Sequence, residues 1–102
     1  MTIDKFMSEK LVEIKEIIST NILKDRFDSH EFIKIFSKKF EVEYVDFLKD
    51  YEKTPFKTVN AQIALWLLRN KVDLNIDNNG KTQSESIFGN DVPNELWIKN
   101  NF

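Results

Sequence analysis

The stretch 63–80, IALWLLRNKVDLNIDNNG, contains the change of character that decides the fold. Before position 70 the chain has no glycine, and apolar residues recur at the three- and four-residue spacing of amphipathic helices. After it come both glycines, several asparagines and short alternating patterns, which are typical of strands and turns. The sequence therefore predicts a mainly helical α+β fold of about four helices, with a helical body over 1–70 and a small β-hairpin and tail over 71–102.

Length and composition predict a single domain over 1–102. The chain has 102 residues, of which 41% are hydrophobic, and it includes nine phenylalanines and two tryptophans. This is ample apolar material for the core of a domain of this size. The longest unbroken apolar run, 63–68, is far shorter than the roughly 20 residues that span a bilayer, and there is no cysteine. We therefore expect a cytoplasmic protein that has no membrane partner, no disulfide and no thiolate chemistry.

The first helix is predicted from about 4 to 23. Apolar residues beginning with Ile3 and Met7 recur along one side of this segment, and charged residues fill the other side. An amphipathic stripe of this kind usually packs on the protein's own core, which is what we expect here. The segment 25–29 that follows is interpreted as a connection.

Two further helices are predicted between Asp28 and Tyr51. Asp28 and Glu31 are three residues apart and resemble a capping box, with aspartate in place of serine or threonine. No glycine or proline separates the helices, but the pattern alternates briefly over 40–43, and β-branched residues cluster there. We place a break at 40–43, and a single continuous helix remains the alternative.

The fourth helix is predicted over 55–69. Pro55 suits the first helical position, and Thr54 can cap just before it. Most of the second half of this segment is apolar on all sides, which is typical of a central, buried helix. We therefore predict a buried core of three residues, with Trp66 the most costly to truncate: Ile63, Trp66 and Leu67.

The tail is predicted to form a hairpin. Apolar and polar residues alternate over 72–77, which indicates a strand, and the Asn-Asn-Gly sequence at 78–80 favours a type I′ turn. A polar strand over 82–88 is expected to pair back. The segment 89–94 is interpreted as a loop, and 95–99 as a short final strand or turn.

Several residues could carry a site, although a structural role explains each more simply. The lone histidine, His30, could act as an acid or base, but no recognisable nucleophile motif accompanies it in the sequence. The segment 75–86 resembles a calcium loop over its first half only, because Ser86 occupies the position of the essential glutamate. The acidic residues near the third helix suit a solvated helix face better than a hydrolytic pair: Asp46, Asp50 and Glu52. Trp97 and Phe88 are expected to pin the tail onto the body rather than form a ligand platform.

One larger arrangement points to nucleic acid. The third helix, a short turn and the helix from Pro55 resemble a helix-turn-helix, and the hairpin could serve as a wing. Asparagine and glutamine can bind adenine edges, and lysine can contact phosphate. In this alternative the DNA-contacting residues would be Lys53, Lys57, Thr58, Asn60, Gln62 and Lys81.

The sequence favours a binding protein over an enzyme. Fifteen basic and seventeen acidic residues give a net charge of −2, so no strong nucleic-acid patch stands out. Neither a nucleophile with its base nor a metal or cofactor motif is recognisable. We therefore expect a non-catalytic protein-interaction or regulatory module without catalytic residues, cofactor or metal. Its partner would be another protein or a second copy, and a DNA-binding winged-helix-like regulator is the alternative.

Overall fold

The fold combines a helical body with a small antiparallel sheet, as predicted. The computed structural model of the protein describes residues 2–87, 89 and 91–100. Their elements in chain order are α1 (Ile3–Glu9), α2 (Leu11–Glu16), a π-helical turn (Ile17–Asn21), β1 (Arg26–Asp28), α3 (Ser29–Lys39), α4 (Glu41–Lys49), α5 (Pro55–Arg69), α6 (Lys71–Leu74), β2 (Ile76–Glu85) and β3 (Asp91–Lys99).

The N-terminal helical segment buries its apolar stripe as expected, but it is not one continuous helix. At Lys10 the backbone leaves helical geometry, with φ −101° and ψ 24°, and this residue separates α1 from α2. Ile22 N–H then bonds the carbonyl of Ile17, five residues back, in the π-helical turn. Ile17, Ile18 and Ile22 are all buried around this turn. The Nζ of Lys99 donates to the Ile22 carbonyl, and burial lowers the pKa of this lysine.

The predicted cap and the predicted break around α3 are both confirmed. Asp28 has extended backbone, and its Oδ1 accepts the backbone N–H of Glu31 at 2.9 Å. α3 ends at Lys39, Phe40 takes φ −117° and ψ 49°, and α4 begins at Glu41. The chain therefore turns at Phe40 without glycine or proline.

Replacing the cap should have a measurable cost. We expect Asp28→Ala to lower the free energy of unfolding by about 0.5–2 kcal/mol, because the first turn of α3 loses its acceptor. Urea denaturation measures this change. Asp28→Asn retains an acceptor oxygen and should remain near the wild type, so an equal loss in both variants would show that the cap is not the cause.

Helix α5 has the predicted bounds, Pro55–Arg69. Ile63, Trp66 and Leu67 are buried, as predicted. The capping role given to Thr54 is wrong, because Thr54 has left-handed backbone (φ 45°) and its side chain makes no cap hydrogen bond. An N-cap side chain accepts from the first turn when its own backbone is extended, a condition that Thr54 does not meet.

The predicted turn at 78–80 is instead a bulge within one long strand. Residues 71–74 form the short helix α6 rather than a strand, and Asn75 ends it with φ 59°. β2 then runs through the Asn-Asn-Gly sequence, and its pairing with β3 shifts register between Asn78 and Lys81. Gly80 has φ 80°. A glycine with positive φ suits both a type I′ turn and a β-bulge, so the sequence signal was genuine but ambiguous.

The sheet is longer than predicted and has a third strand. β3 begins at Asp91, so the loop predicted over 89–94 is wrong from position 91, whereas the strand over 95–99 is confirmed. The connection predicted at 25–29 contains β1, whose Phe27 pairs with Trp97. The order is β1-β3-β2, and both pairings are antiparallel. A three-residue strand is too short to show periodicity, which is why the sequence concealed it.

Aromatic side chains join the helices and the sheet. Phe6 packs edge-on against Phe40 and Phe47, with ring centroids 5.3 and 5.5 Å apart. At the sheet, Trp97 is fully buried, and its Nε1 donates to the Oγ of Ser29 at 3.0 Å. Trp97 therefore pins the tail to the body as expected, while Phe88 lies outside the described residues.

Candidate functional site: an apolar groove beside helix α5

A cavity of about 540 Å³ forms a groove between α3, α5 and the far end of the β2–β3 hairpin. Its walls are mostly apolar, and polar groups stand at a few positions, which is the usual composition of a binding groove. The apolar residues are Ile33, Ala61, Ala64, Ile87, Val92 and Pro93. The polar residues are Ser29, His30, Lys57, Asn60, Ser86 and Asn94.

His30 holds the hairpin end against the start of α3. Its backbone N–H donates to the Oδ1 of Asn94 at 2.9 Å. Its Nδ1 lies 2.9 Å from the Oγ and 3.2 Å from the carbonyl oxygen of Ser84. The Nδ2 of Asn94 also donates to the Ser84 Oγ, at 3.2 Å. These contacts fix one wall of the groove, and they join residues that are 54 and 64 positions apart in the chain.

The fold places the hydroxyl of Ser84, 54 positions away in the chain, next to the His30 ring. A serine hydroxyl within hydrogen-bond reach of a histidine is the first requirement for an activated nucleophile. Here, however, the Nδ1 of His30 also faces the Ser84 carbonyl, which can only accept a hydrogen bond. A proton on Nδ1 satisfies both contacts, and a nitrogen that carries this proton cannot take one from the hydroxyl. The geometry therefore favours a clamp over a catalytic pair.

The two amides of the DNA alternative are engaged inside the protein. Asn60 Oδ1 accepts from the hydroxyl of Tyr44 at 2.7 Å, and Gln62 Nε2 donates to the hydroxyl of Tyr51 at 2.8 Å. Burial raises the pKa of Tyr44, and its hydrogen bond to Asn60 acts in the opposite direction. Both amides therefore help to hold α5 against α4 and the residues that follow it.

The remaining residues of that alternative are spread over three elements. Lys57 lies at the groove, and Thr58, the next residue on α5, is half-buried. Lys53 is exposed in the connection before α5, and Lys81 is exposed on β2, opposite Glu95. Of the six residues, the structure therefore brings Lys57 and Asn60 together at the groove.

An exposed apolar surface on α5, which sequence reasoning missed, continues from the groove. Ala61, Leu65 and Leu68 follow the spacing i, i+4, i+7, so they share one face of the helix, and we call them the α5 stripe. Leu65 is 46% and Leu68 44% exposed, although the sequence predicted a helix buried all round. Ala61 belongs to both the stripe and the groove wall. One available signal was charge, because residues 53–72 contain four basic and no acidic side chains.

The acidic candidates form no site. Asp46 pairs with Lys49 on the exposed surface of α4 at 3.6 Å. The supposed calcium-loop segment lies largely in β2, with the bulge in its middle. Within the described ranges, no group of three or more His, Cys, Asp or Glu residues is placed to hold a metal ion.

Comparison with known proteins finds no matching family model, curated protein or solved structure. In the part of the chain that the structure describes, no helix is both long and apolar enough to span a membrane. The groove and the α5 stripe are therefore the candidate functional site of the chain.

Proposed function

We propose that this chain is a small, non-catalytic protein-interaction or regulatory module that binds its partner through the groove and the α5 stripe. The observation that carries the proposal is the pair of half-exposed leucines, Leu65 and Leu68, on a helix face that leads into an apolar groove. Contiguous apolar surface of this kind marks interaction sites, whereas single scattered apolar residues do not.

Covering the two leucines favours association. A leucine that is still half in water gains about 1 kcal/mol when a partner covers it. The small side chains of Ala61 and Ala64 let a partner approach the helix closely, and the clamp at His30 keeps the opposite wall in place. Because the groove exists before binding, less ordering entropy opposes association.

DNA binding remains the second candidate, since residues 53–72 carry basic groups and no acids. Against it stand the net charge of −2 and the two amides that are bonded to tyrosines. A titration with duplex DNA at low salt tests this alternative directly, because phosphate contacts are strongest there. Tight binding that weakens steeply with salt, and that is lost in Lys57→Ala, would replace our proposal with the DNA-binding one.

The protein-binding proposal predicts which surface selected ligands will use. Peptides selected from a random display library against the folded protein should lose binding to the variant Leu65→Gln/Leu68→Gln. Glutamine is a good helix former and adds no charge, so the variant removes apolar contact alone. The matched control is Val12→Gln/Val42→Gln, which changes two exposed apolar residues on other helices and should leave binding intact.

Comparison with the control variant also shows which results would contradict the proposed binding surface. If selected peptides bind both variants equally well, or lose binding only in the control, the α5 surface is not the interaction site. Thermal melts of both variants establish that the folded state is retained.

A further inference from the structure

The α5 stripe has a basic border. Lys57 lies one turn before Ala61, and Arg69 lies one turn after Leu65, so both side chains flank the stripe. Lys71 follows directly on α6. The nearest acids along the chain are Glu52 and Asp73, outside this surface segment. Three basic residues, Lys57, Arg69 and Lys71, therefore lie on or directly after the helix that carries the α5 stripe, and in space Asp4 lies beside Arg69.

Most of this charge is available to a partner. Among the described residues, neither Lys57 nor Lys71 forms an ion pair. Arg69 pairs with Asp4 at 3.3 Å, but both side chains are more than 60% exposed. An exposed pair of this kind is weak and exchanges readily with another carboxylate.

We propose, on the basis of the protein-binding function above, that the occupant of the α5 stripe is an amphipathic helix of another protein, whose apolar face is bordered by aspartate and glutamate. The straight i, i+4, i+7 row suits the ridge-into-groove packing of a second helix. Carboxylates along the edges of that helix complement Lys57 and Lys71. Apolar contact supplies affinity, and the charges supply specificity and the rate of association.

A second copy of the chain fits this surface less well. Two α5 stripes packed together would oppose like charges along both edges. Helix α4 does carry an acid-flanked apolar face, but that face offers only Val42 and Val45, and Val45 is already more than half covered. A contact between α4 of one copy and α5 of the next would also be head-to-tail and would build rings or filaments rather than a two-fold pair.

The end of the β2–β3 hairpin is acidic, unlike the α5 side of the groove. Glu85 and Asp91 face each other at the far end of β2 and β3, next to the residues that close the groove. A carboxylate-bearing helix is therefore attracted to the α5 side of the groove and repelled from the hairpin end. This places the partner helix along α5 rather than across the groove.

Three designed peptides test the proposal. Each is a helix of about four turns with the same leucine face, and the flanking positions are all glutamate, all glutamine or all lysine. Fluorescence anisotropy gives the dissociation constants. We expect the glutamate peptide to bind about tenfold more tightly than the glutamine peptide, and the lysine peptide to bind most weakly. The advantage of the glutamate peptide should shrink as salt is added.

Charge reversal on the protein provides the matched variants. Lys57→Glu/Lys71→Glu should invert the preference, so that the lysine peptide binds best. Lys15→Glu/Lys39→Glu makes the same change in net charge with exposed lysines on α2 and α3 and should leave the original order unchanged.

The outcomes separate this inference from the function on which it rests. If no leucine-faced peptide binds, the protein-binding function of this surface is refuted. If all three bind equally, or the lysine peptide binds best to the wild type, the surface binds protein but the acidic partner is wrong. Concentration-dependent assembly in light scattering that Leu65→Gln/Leu68→Gln abolishes would identify a second copy as the occupant and overturn the inference.

Discussion

Trp66→Ala should lower the free energy of unfolding by about 3–5 kcal/mol, because it leaves a cavity at the centre of the helical body. Trp66 is 1% exposed, and its Nε1 donates to the Oγ of Ser8 at 3.1 Å, which ties α5 to α1. Such a loss is a large part of a typical domain stability of about 5–15 kcal/mol. Chemical denaturation followed by circular dichroism measures it, and the variant should melt much earlier or express poorly.

Leu65→Ala is the matched control on the same helix. Leu65 is half-exposed, so its truncation should cost less than about 1 kcal/mol. If Trp66→Ala melted together with the wild type, or if the two variants lost equal stability, the placement of α5 at the centre of the core would be wrong.

Trp97→Ala should have an effect of similar size, about 3–5 kcal/mol, and should also release the sheet from the helices. Trp97 is fully buried, pairs with Phe27 across β1 and β3, and donates to Ser29 at the start of α3. In this variant, backbone hydrogen exchange should therefore accelerate more in β1 and β3 than in α1 and α5.

Two milder changes separate packing from hydrogen bonding at this site. Trp97→Phe retains much of the ring volume, and Ser29→Ala leaves the indole N–H buried without its acceptor, at a cost of about 1–3 kcal/mol.

If Trp97→Ala accelerated exchange equally in every element, the sheet would unfold only together with the helices, and its separate release would be excluded.

The helices were predictable where local chemistry determines them. Asp28 bonds the backbone three residues on, Pro55 fits a first helical turn, and the residues between them carry a period that burial preserves. The break at Phe40 was visible because the pattern changes there, although no glycine or proline marks it.

The sheet was less predictable because its order depends on distant partners. β1 is three residues long and exists because Phe27 meets Trp97. At Gly80, one positive φ value serves a bulge as well as a turn, and only the pairing with β3 distinguishes them. The residue pattern within a single strand does not show which strand it pairs with or in which register.

The groove was hidden for the same reason. His30 meets Ser84 and Asn94 only after the hairpin folds onto α3, so no sequence spacing indicates the clamp. The exposed face of α5 was detectable in principle, since an acid-free basic segment with leucines on its outer face is unusual in a chain with 31% charged residues. Hydrophobicity alone does not reveal this face. Residues 63–68 are all apolar, so their pattern does not show which side of the helix faces the solvent.

The strand order also determines when the sheet can be completed. β3 lies in the middle of the sheet, yet both of its neighbours precede it in the chain, and β1 and β2 make no ladder with each other. Ser29 and Trp97 are 68 residues apart, so the sheet can dock on α3 only after nearly the whole chain is available. The wall of the groove that His30 holds therefore forms only when the C-terminal strand is in place, because Asn94 of β3 and Ser84 of β2 supply its partners.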